Sequence, residues 1–260
     1  MGRATLIKFV AQSFPLYIMS TCKLPKKLCN DMDGVVRKFW WSLKKLGDKC
    51  YSLKAWKELC QLLSVGGLGF RSFESFNAAM IAKLAWWVLS GQDSFYVIVL
   101  KAKYHVGSNW LNAPPPRSAS FVWRGIEGAK ALVAKGACKL VGSGDSILVW
   151  SDPWVPGLTN FKPLPKASLE EIPCLAICQL MNHAKADWNL GTLNSLFDKD
   201  TIQAIHNIPR WNFNQMGKWI LMKSSNGEFS VKSAFKEVIH EDLDPEINVV
   251  MNQIWKSNLH

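Results

Sequence analysis

Large apolar residues recur every three to four positions through most of the first 135 residues. The period shortens to two only around 138–150 and 219–231. The longer period predicts helices and the shorter one strands. Leu6/Ile7, Val10/Ala11 and Phe14 predict a first helix that runs to Pro15. A second follows Pro25, with Leu28, Met32, Val35/Val36, Phe39 and Leu43 along one face. "LKAWKELCQLL" (53–63) is a shorter amphipathic piece, which "GGLGF" (66–70) interrupts because glycines readily leave the helical conformation. The strongest helix is 72–91, with Ser72 as its cap, a stripe of Phe73, Phe76/Asn77, Met80, Leu84 and Trp87/Val88, and Gly91 as its stop.

Helices over 94–104 and 118–135 follow, separated by the stiff, extended "NAPPPRS". "CKLVGSGDSILVW" (138–150) alternates on both sides of a Gly-rich turn and predicts a hairpin. A second hairpin is predicted over 219–231, with Asn226-Gly227 as its turn. Between them lie a Pro-rich stretch at 157–173 and short helices near 175–182 and 189–206, and a last helix begins at 232. The expected fold is mainly α with two small β-hairpins, an α+β chain.

Composition narrows the function. The 260 residues are 48% hydrophobic and 20% charged, which is globular. The net charge is +11 and unevenly spread. Residues 1–60 hold 12 Lys/Arg against 4 Asp/Glu, residues 61–150 hold 9 against 4, and residues 151–260 hold 10 against 12. A polyanion surface is therefore expected in the N-terminal half. Seven scattered cysteines read as reduced thiols of an intracellular protein. No apolar run approaches ~18 residues, so no membrane span is expected. The first 30 residues lack acids and mimic a mitochondrial transit segment, but Pro15 and Pro25 interrupt the amphipathic run and favour the opening of the fold. The nucleus or cytoplasm is the expected compartment over the mitochondrion.

Catalytic and metal signatures are weak. "VGSGDS" precedes a strand rather than a helix, and "GGLGF" lacks a correctly spaced third glycine, so neither makes a phosphate cradle. "DMD" (31–33) lacks the rest of a calcium loop and reads as solvated helical acids. Cys174, Cys178 and His183 are too few for a structural zinc site. No Asp-Asp dipeptide exists to hold a two-metal phosphoryl-transfer centre. No metal or cofactor is expected, and no catalytic residue. In "VWSDPWVP" (149–156), Asp152 before Pro153 builds a turn and Trp150 and Trp154 flank it, which reads as a structural Trp–Pro corner.

"RKFWWSLKK" (37–45) is the best candidate for a nucleic-acid contact. With Met32 at zero and 100° per residue, Val35, Val36 and Phe39 fall within about 60° and Trp40 at about 80°, which predicts a core face containing Phe39 and Trp40. Trp41 lies at about 180°, with Arg37, Lys38, Lys44 and Lys45 around it. That would be an aromatic ringed by cations, able to grip phosphates and stack on a base; the alternative is a Trp41 packed under a neighbouring helix.

"MGRATLIKFVAQSFPLYIMS", "KFWWS", "AWKELC", "GGLGFRSFESFNAAMIAKLAWW", "SFVWRGI", "GSGDSILVWSDPWVP" and "NGEFSVKSAF" stand here in the order they have in plant LINE-type (non-LTR) retrotransposon polyproteins. The chain resembles, over nearly its whole length, the segment after the polymerase palm. The resemblance implies a thumb-like basic helical bundle over 1–91, a connection region over 92–216 and the opening of a reverse-transcriptase zinc-binding domain over 217–260. It also implies that the neighbouring polymerase core and the zinc ligands lie outside this chain. "NQMGKW" (214–219) departs from the family, which has an acid a few residues before the Trp. The implied role is non-enzymatic: holding RNA–DNA template–primer, independently of sequence, in RNA-directed DNA synthesis. The competing expectation is an inert retroelement relic.

Overall fold

The computed structural model describes residues 2–41, 52–63, 66–167, 169, 171–182, 187–208, 217–224 and 226–241. The described residues within Met1–Val88, Ser94–Leu132 and Ser230–His260 form one compact unit, and those within Leu89–Asp93 and Val133–Phe229 form another. The helices in chain order are α1 (Gly2–Leu6), α2 (Leu16–Thr21), α3 (Lys26–Trp41), α4 (Trp56–Leu59), α5 (Phe73–Ser90), α6 (Phe95–Tyr104), α7 (Phe121–Gly128), α8 (Lys130–Ala134), α9 (Leu190–Leu196), α10 (Lys199–His206) and α11 (Val231–Glu241). The strands are β1 (Ala137–Leu140) and β2 (Lys218–Leu221). The fold is mainly helical with a small antiparallel sheet.

In the first unit the core gathers Ile7, Met19, Cys29, Val36, Leu59, Cys60, Phe70, Phe73 and Phe76, with Trp40, Trp41, Trp56 and Phe235 against it. The Ser72 hydroxyl accepts the Ser75 N–H at 3.2 Å at the start of α5, and Gly91 at φ 69° ends it. "GGLGF" folds back on α4: Leu68 and Gly69 donate to the carbonyls of Leu59 and Gln61. Gly69 has φ 66°, and a Cβ at Gly67 would overlap the Gln61 carbonyl, so both glycines are required. The Pro-rich loop after α6 is pinned by Trp110. Its indole donates to Glu127 Oε1 at 2.9 Å, and Lys130 donates to the Ala113 carbonyl at 3.0 Å.

Three buried polar side chains tie the N-terminal helices to α5. Gln12 donates to the Arg71 carbonyl at 2.8 Å. Asn77 donates to the carbonyls of Met19 and Cys22 at 2.8 and 2.9 Å and accepts the Leu24 N–H at 2.8 Å. Asp33 accepts the Phe73 N–H at 3.4 Å. Each satisfies backbone groups at a break or end of a helix, where no partner exists within the helix.

The second unit is built on Val141, Ile147, Val149, Trp154, Val155, Ile177, Leu180, Leu193, Phe197 and Ile205. Here the two expected hairpins are corrected: among the described residues there is one two-stranded sheet, formed between them. β1 pairs antiparallel with β2, Ala137 opposite Leu221 and Leu140 opposite Lys218. The reason lies in the competing partners. Gly144, at φ 77°, packs on the Ile177–Cys178 backbone. Val149 donates to Leu175 at 2.9 Å and Ile177 donates to Ile147 at 3.0 Å, so the 147–149 backbone pairs with 175–177 instead of with β1. The second turn does fold back, with Leu221 donating to the Gly227 carbonyl at 2.7 Å.

Candidate nucleic-acid interface

α3 carries the candidate residues, and its phase decides what they present. Cys29, Asp33 and Val36 are buried and Trp40 is half-buried, at i, i+4, i+7 and i+11. The core-facing direction is therefore rotated by about 70° from that expected from Met32. Phe39 does not lie in the core as the apolar pattern predicted; it is 42% exposed. Leu28 and Val35 are also exposed. Asp33, expected to be solvated, is 9% exposed.

Of the two expectations for Trp41, the packed one describes its position. It is half-buried against the first unit's core, with its ring 6.5 Å from Trp40 in edge geometry. Its indole N–H is buried and finds no hydrogen-bond partner among the described residues. Trp40 in turn meets Phe70 edge-on at 5.1 Å, and Phe70 stacks on Trp56 at 5.6 Å. Arg37 and Lys38 are exposed. Lys44 and Lys45 lie outside the described residues.

The exposed aromatic of this helix is Phe39. The Arg3 guanidinium lies over its ring at 5.9 Å, whereas Lys38 projects about 100° away around the helix and Arg37 about 160° away, on the side of Asp33. Arg3 also donates to the Trp40 carbonyl at 3.2 Å, which fixes α1 against the end of α3. Sequence reasoning missed both Arg3 and Phe39. The signal for Phe39 was Asp33: had that acid been read as core-facing, the phase of α3 would have turned Phe39 outward.

Asp33 lies on the opposite side of α3 from Lys38. Burial pushes its carboxyl up to about 6, and nearby Glu74 adds to the rise, while the Trp56 side chain, the Phe73 N–H and Arg37, in that order, oppose it. Cys29 and Cys60, close by, are raised by burial and by Asp33. Among the described residues, no group of three His, Cys, Asp or Glu side chains converges as a metal site. Cys174 is exposed and Cys178 half-buried. No described helix is long and apolar enough to cross a membrane.

In the second unit Trp150, Asp152, Pro153 and Trp154 form a packed corner. Asp152 is 7% exposed, pairs with Lys139 at 2.8 Å and accepts the Leu148 N–H at 2.8 Å. Lys139 Nζ lies 5.1 Å from the Trp219 ring centroid, and the Lys139 N–H donates to the Pro153 carbonyl at 2.7 Å. Trp154 is fully buried and donates to the Val149 carbonyl at 2.8 Å. Trp150 donates to the Pro173 carbonyl at 2.7 Å. Every polar group of this motif named here is spent on the protein itself.

The chain is similar to two Arabidopsis thaliana proteins. An Arabidopsis thaliana protein named "Putative ribonuclease H protein" is 30% identical over 98% of this chain, which spans 42% of that relative. The Arabidopsis thaliana "Uncharacterized mitochondrial protein" is 31% identical over 58% of this chain and 99% of its own length. No protein-family model and no solved structure matches the chain. Covering the second relative almost end to end, the chain belongs to the family that these two plant proteins represent, one typical of plant retroelement-derived proteins.

Proposed function

We propose that the chain is a non-catalytic piece of a retroelement reverse transcriptase, of thumb and connection type, that holds RNA–DNA template–primer through its phosphates. The observation that carries this is the exposed end of α3, where Arg3 lies over the Phe39 ring and Arg37 and Lys38 add exposed cations around the same turn. The surface belongs to the half of the sequence with the charge excess. Such an arrangement engages the duplex backbone and not base edges, so binding is independent of sequence and falls steeply with salt. The name of the larger relative, a ribonuclease H protein, supports a ligand containing RNA and DNA. The absence of an Asp-Asp pair in the sequence supports a role without catalysis.

The test is fluorescence anisotropy with a labelled RNA–DNA hybrid across a salt series. The full chain is expected to bind with a steep log–log salt slope. Arg37→Gln and Lys38→Gln should each flatten the slope by about one unit at most. Neither metal-dependent primer extension nor hybrid cleavage should accompany the purified chain. No binding at low salt, or a slope that both changes leave unaltered, overturns the reading in favour of an inert relic.

A further inference from the structure

Residues 2–21 follow one helical path: α1, a π-helical turn over Ile7–Ala11, a tight turn through Pro15, and α2. Its inward side is Ile7, Gln12 and Met19, all buried. Its outward side carries Leu6, Phe9, Val10, Phe14, Tyr17 and Ile18, all exposed, the three aromatics by 73, 91 and 82%. Single exposed apolar residues are ordinary, but six large ones at i, i+3, i+4, i+8, i+11 and i+12 form a row about 18 Å long. An aromatic side chain offers about 150–250 Å², so these three expose roughly 500 Å². The three aliphatics bring the row to roughly 700 Å². The largest apolar patch of a typical monomer is about 300–600 Å². A standard interface takes about 800 Å² from each partner, so the row with its hydroxyl-bearing edge is of that size.

The second feature is that this face carries no charge. The other exposed residues of the stretch are Gly2, Thr5, Ser13 and Thr21. Its two cations turn the other way. Arg3 lies over Phe39 and donates to the Trp40 carbonyl, and Lys8 Nζ lies 5.8 Å from the Phe70 ring centroid. The Ser13 hydroxyl donates to the Phe9 carbonyl at 2.7 Å and the Thr21 hydroxyl to the Ile18 carbonyl at 3.0 Å. Covering the row therefore desolvates no ion and leaves neither of these hydroxyls without a bond.

These features select the occupant. A nucleic acid finds no cation here for its phosphates, and stacking leaves Leu6, Val10 and Ile18 unused. A helix that lies on a membrane keeps Lys or Arg beside its apolar face, but here both cations are turned onto aromatics of the chain itself. A charged protein surface finds no complement. A second copy of the row is matched in length, in area and in lacking charge. In a two-fold contact the same patch serves both subunits. Run antiparallel, the Leu6 end of each row meets the Ile18 end of the other, and Val10 and Phe14 fall in the middle.

We infer that the chain self-associates as a two-fold dimer through the Leu6–Ile18 row. This inference is independent of the nucleic-acid reading, which uses Arg3 and Phe39 on another side. The test is sedimentation velocity of the full chain, without nucleic acid, from low to high micromolar concentration. The parent is expected to pass from monomer to dimer over that range. Phe14→Asp and Tyr17→Asp should each weaken association by about 100-fold or more, because each places a lone carboxylate in the contact. Phe95→Asp should associate like the parent, since Phe95 is an exposed aromatic of α6, outside the row. Circular dichroism should show all three variants folded; if an aspartate unfolds the chain, Phe14→Ser decides, with an expected loss of about tenfold. Added salt should strengthen the dimer by screening the net charge of +11, whereas it weakens hybrid binding, so the two readings fail separately. A parent that stays monomeric at every concentration overturns the inference. So does a dimer that survives the row substitutions, or one that Phe95→Asp weakens equally. A monomeric parent that binds neutral phosphatidylcholine vesicles, and loses them in Phe14→Asp, assigns the row to a membrane surface and also overturns it.

Discussion

Replacing Asp33 by Asn tests the electrostatics of the first unit's core. The carboxyl ionises near 3.8 in an unfolded chain and at about 6 in the fold. The folded state thus binds its proton more tightly. The stability this contributes is fully present below pH 3.8 and is lost as pH rises through about 6. At pH 7.5 the native chain holds a carboxylate in a site that disfavours it. The gap corresponds to about 3 kcal/mol as a ceiling, reduced toward about 2 kcal/mol by solvent screening at the edge of the site. Asparagine keeps an oxygen for the Phe73 N–H and removes the charge. Asp33→Asn should therefore raise the melting temperature at pH 7.5 by about 4–10 °C, and the difference should shrink toward zero near pH 4. Thermal unfolding followed by circular dichroism at half-unit steps from pH 4 to 8, on both proteins, measures this. A difference that does not change with pH, or an asparagine variant less stable at pH 7.5, would refute the reasoning.

Trp41→Ala should destabilise the chain by about 2 kcal/mol because the ring is half-packed, whereas Phe39→Ala should change stability by no more than about 1 kcal/mol yet weaken hybrid binding. Urea denaturation and anisotropy on the same two variants separate these effects. Lys139→Met alone should cost about 3–5 kcal/mol by leaving Asp152 buried without its cation, and adding Asp152→Asn should recover part of that loss; a double-mutant cycle by urea denaturation measures the coupling. Asn77→Leu adds apolar surface to a buried position but orphans two carbonyls and one N–H, so it should destabilise by about 3 kcal/mol or more. If Asn77→Leu matches or exceeds the parent chain in urea, the polar ties of α5 are not what positions α2.

The helices were legible because their signals are local. Ser72, the 73–88 stripe and Gly91 mark α5 within a residue of its observed ends, Phe73 and Ser90. "GGLGF" marks a break that the backbone confirms through positive φ at Gly66 and Gly69. The sheet was not legible because its pairing is not local. Alternation identified β1 and β2 as extended, but nothing near Cys138 announces a partner at Ile220. The Asn226-Gly227 and Gly144 turns are real, yet a turn fixes only that the chain reverses, not which strand it meets afterwards. The Trp–Pro corner was read as structural from residue types alone, while the Lys139 that pairs with Asp152 was invisible without the fold.

The misassigned helix faces share one physical cause. An apolar-stripe argument assumes that the inward side of a helix is the apolar side. In the first unit that assumption fails on both N-terminal helical segments, because each directs a polar residue inward: Gln12 on the first and Asp33 on α3, 3 and 9% exposed. Both meet the N-terminal end of α5, Gln12 at the Arg71 carbonyl and Asp33 at the Phe73 N–H. The geometry of those ties sets the rotation of each segment. Their apolar rows, Leu6 to Ile18 and Leu28–Val35–Phe39, are then left outside. The proposed contact follows from the same rotation. It brings Phe39 beneath Arg3, and it leaves the apolar side of residues 6–18 outside. A sequence with leucine at positions 12, 33 and 77 would fit the binary pattern better, but nothing in it would turn these faces outward.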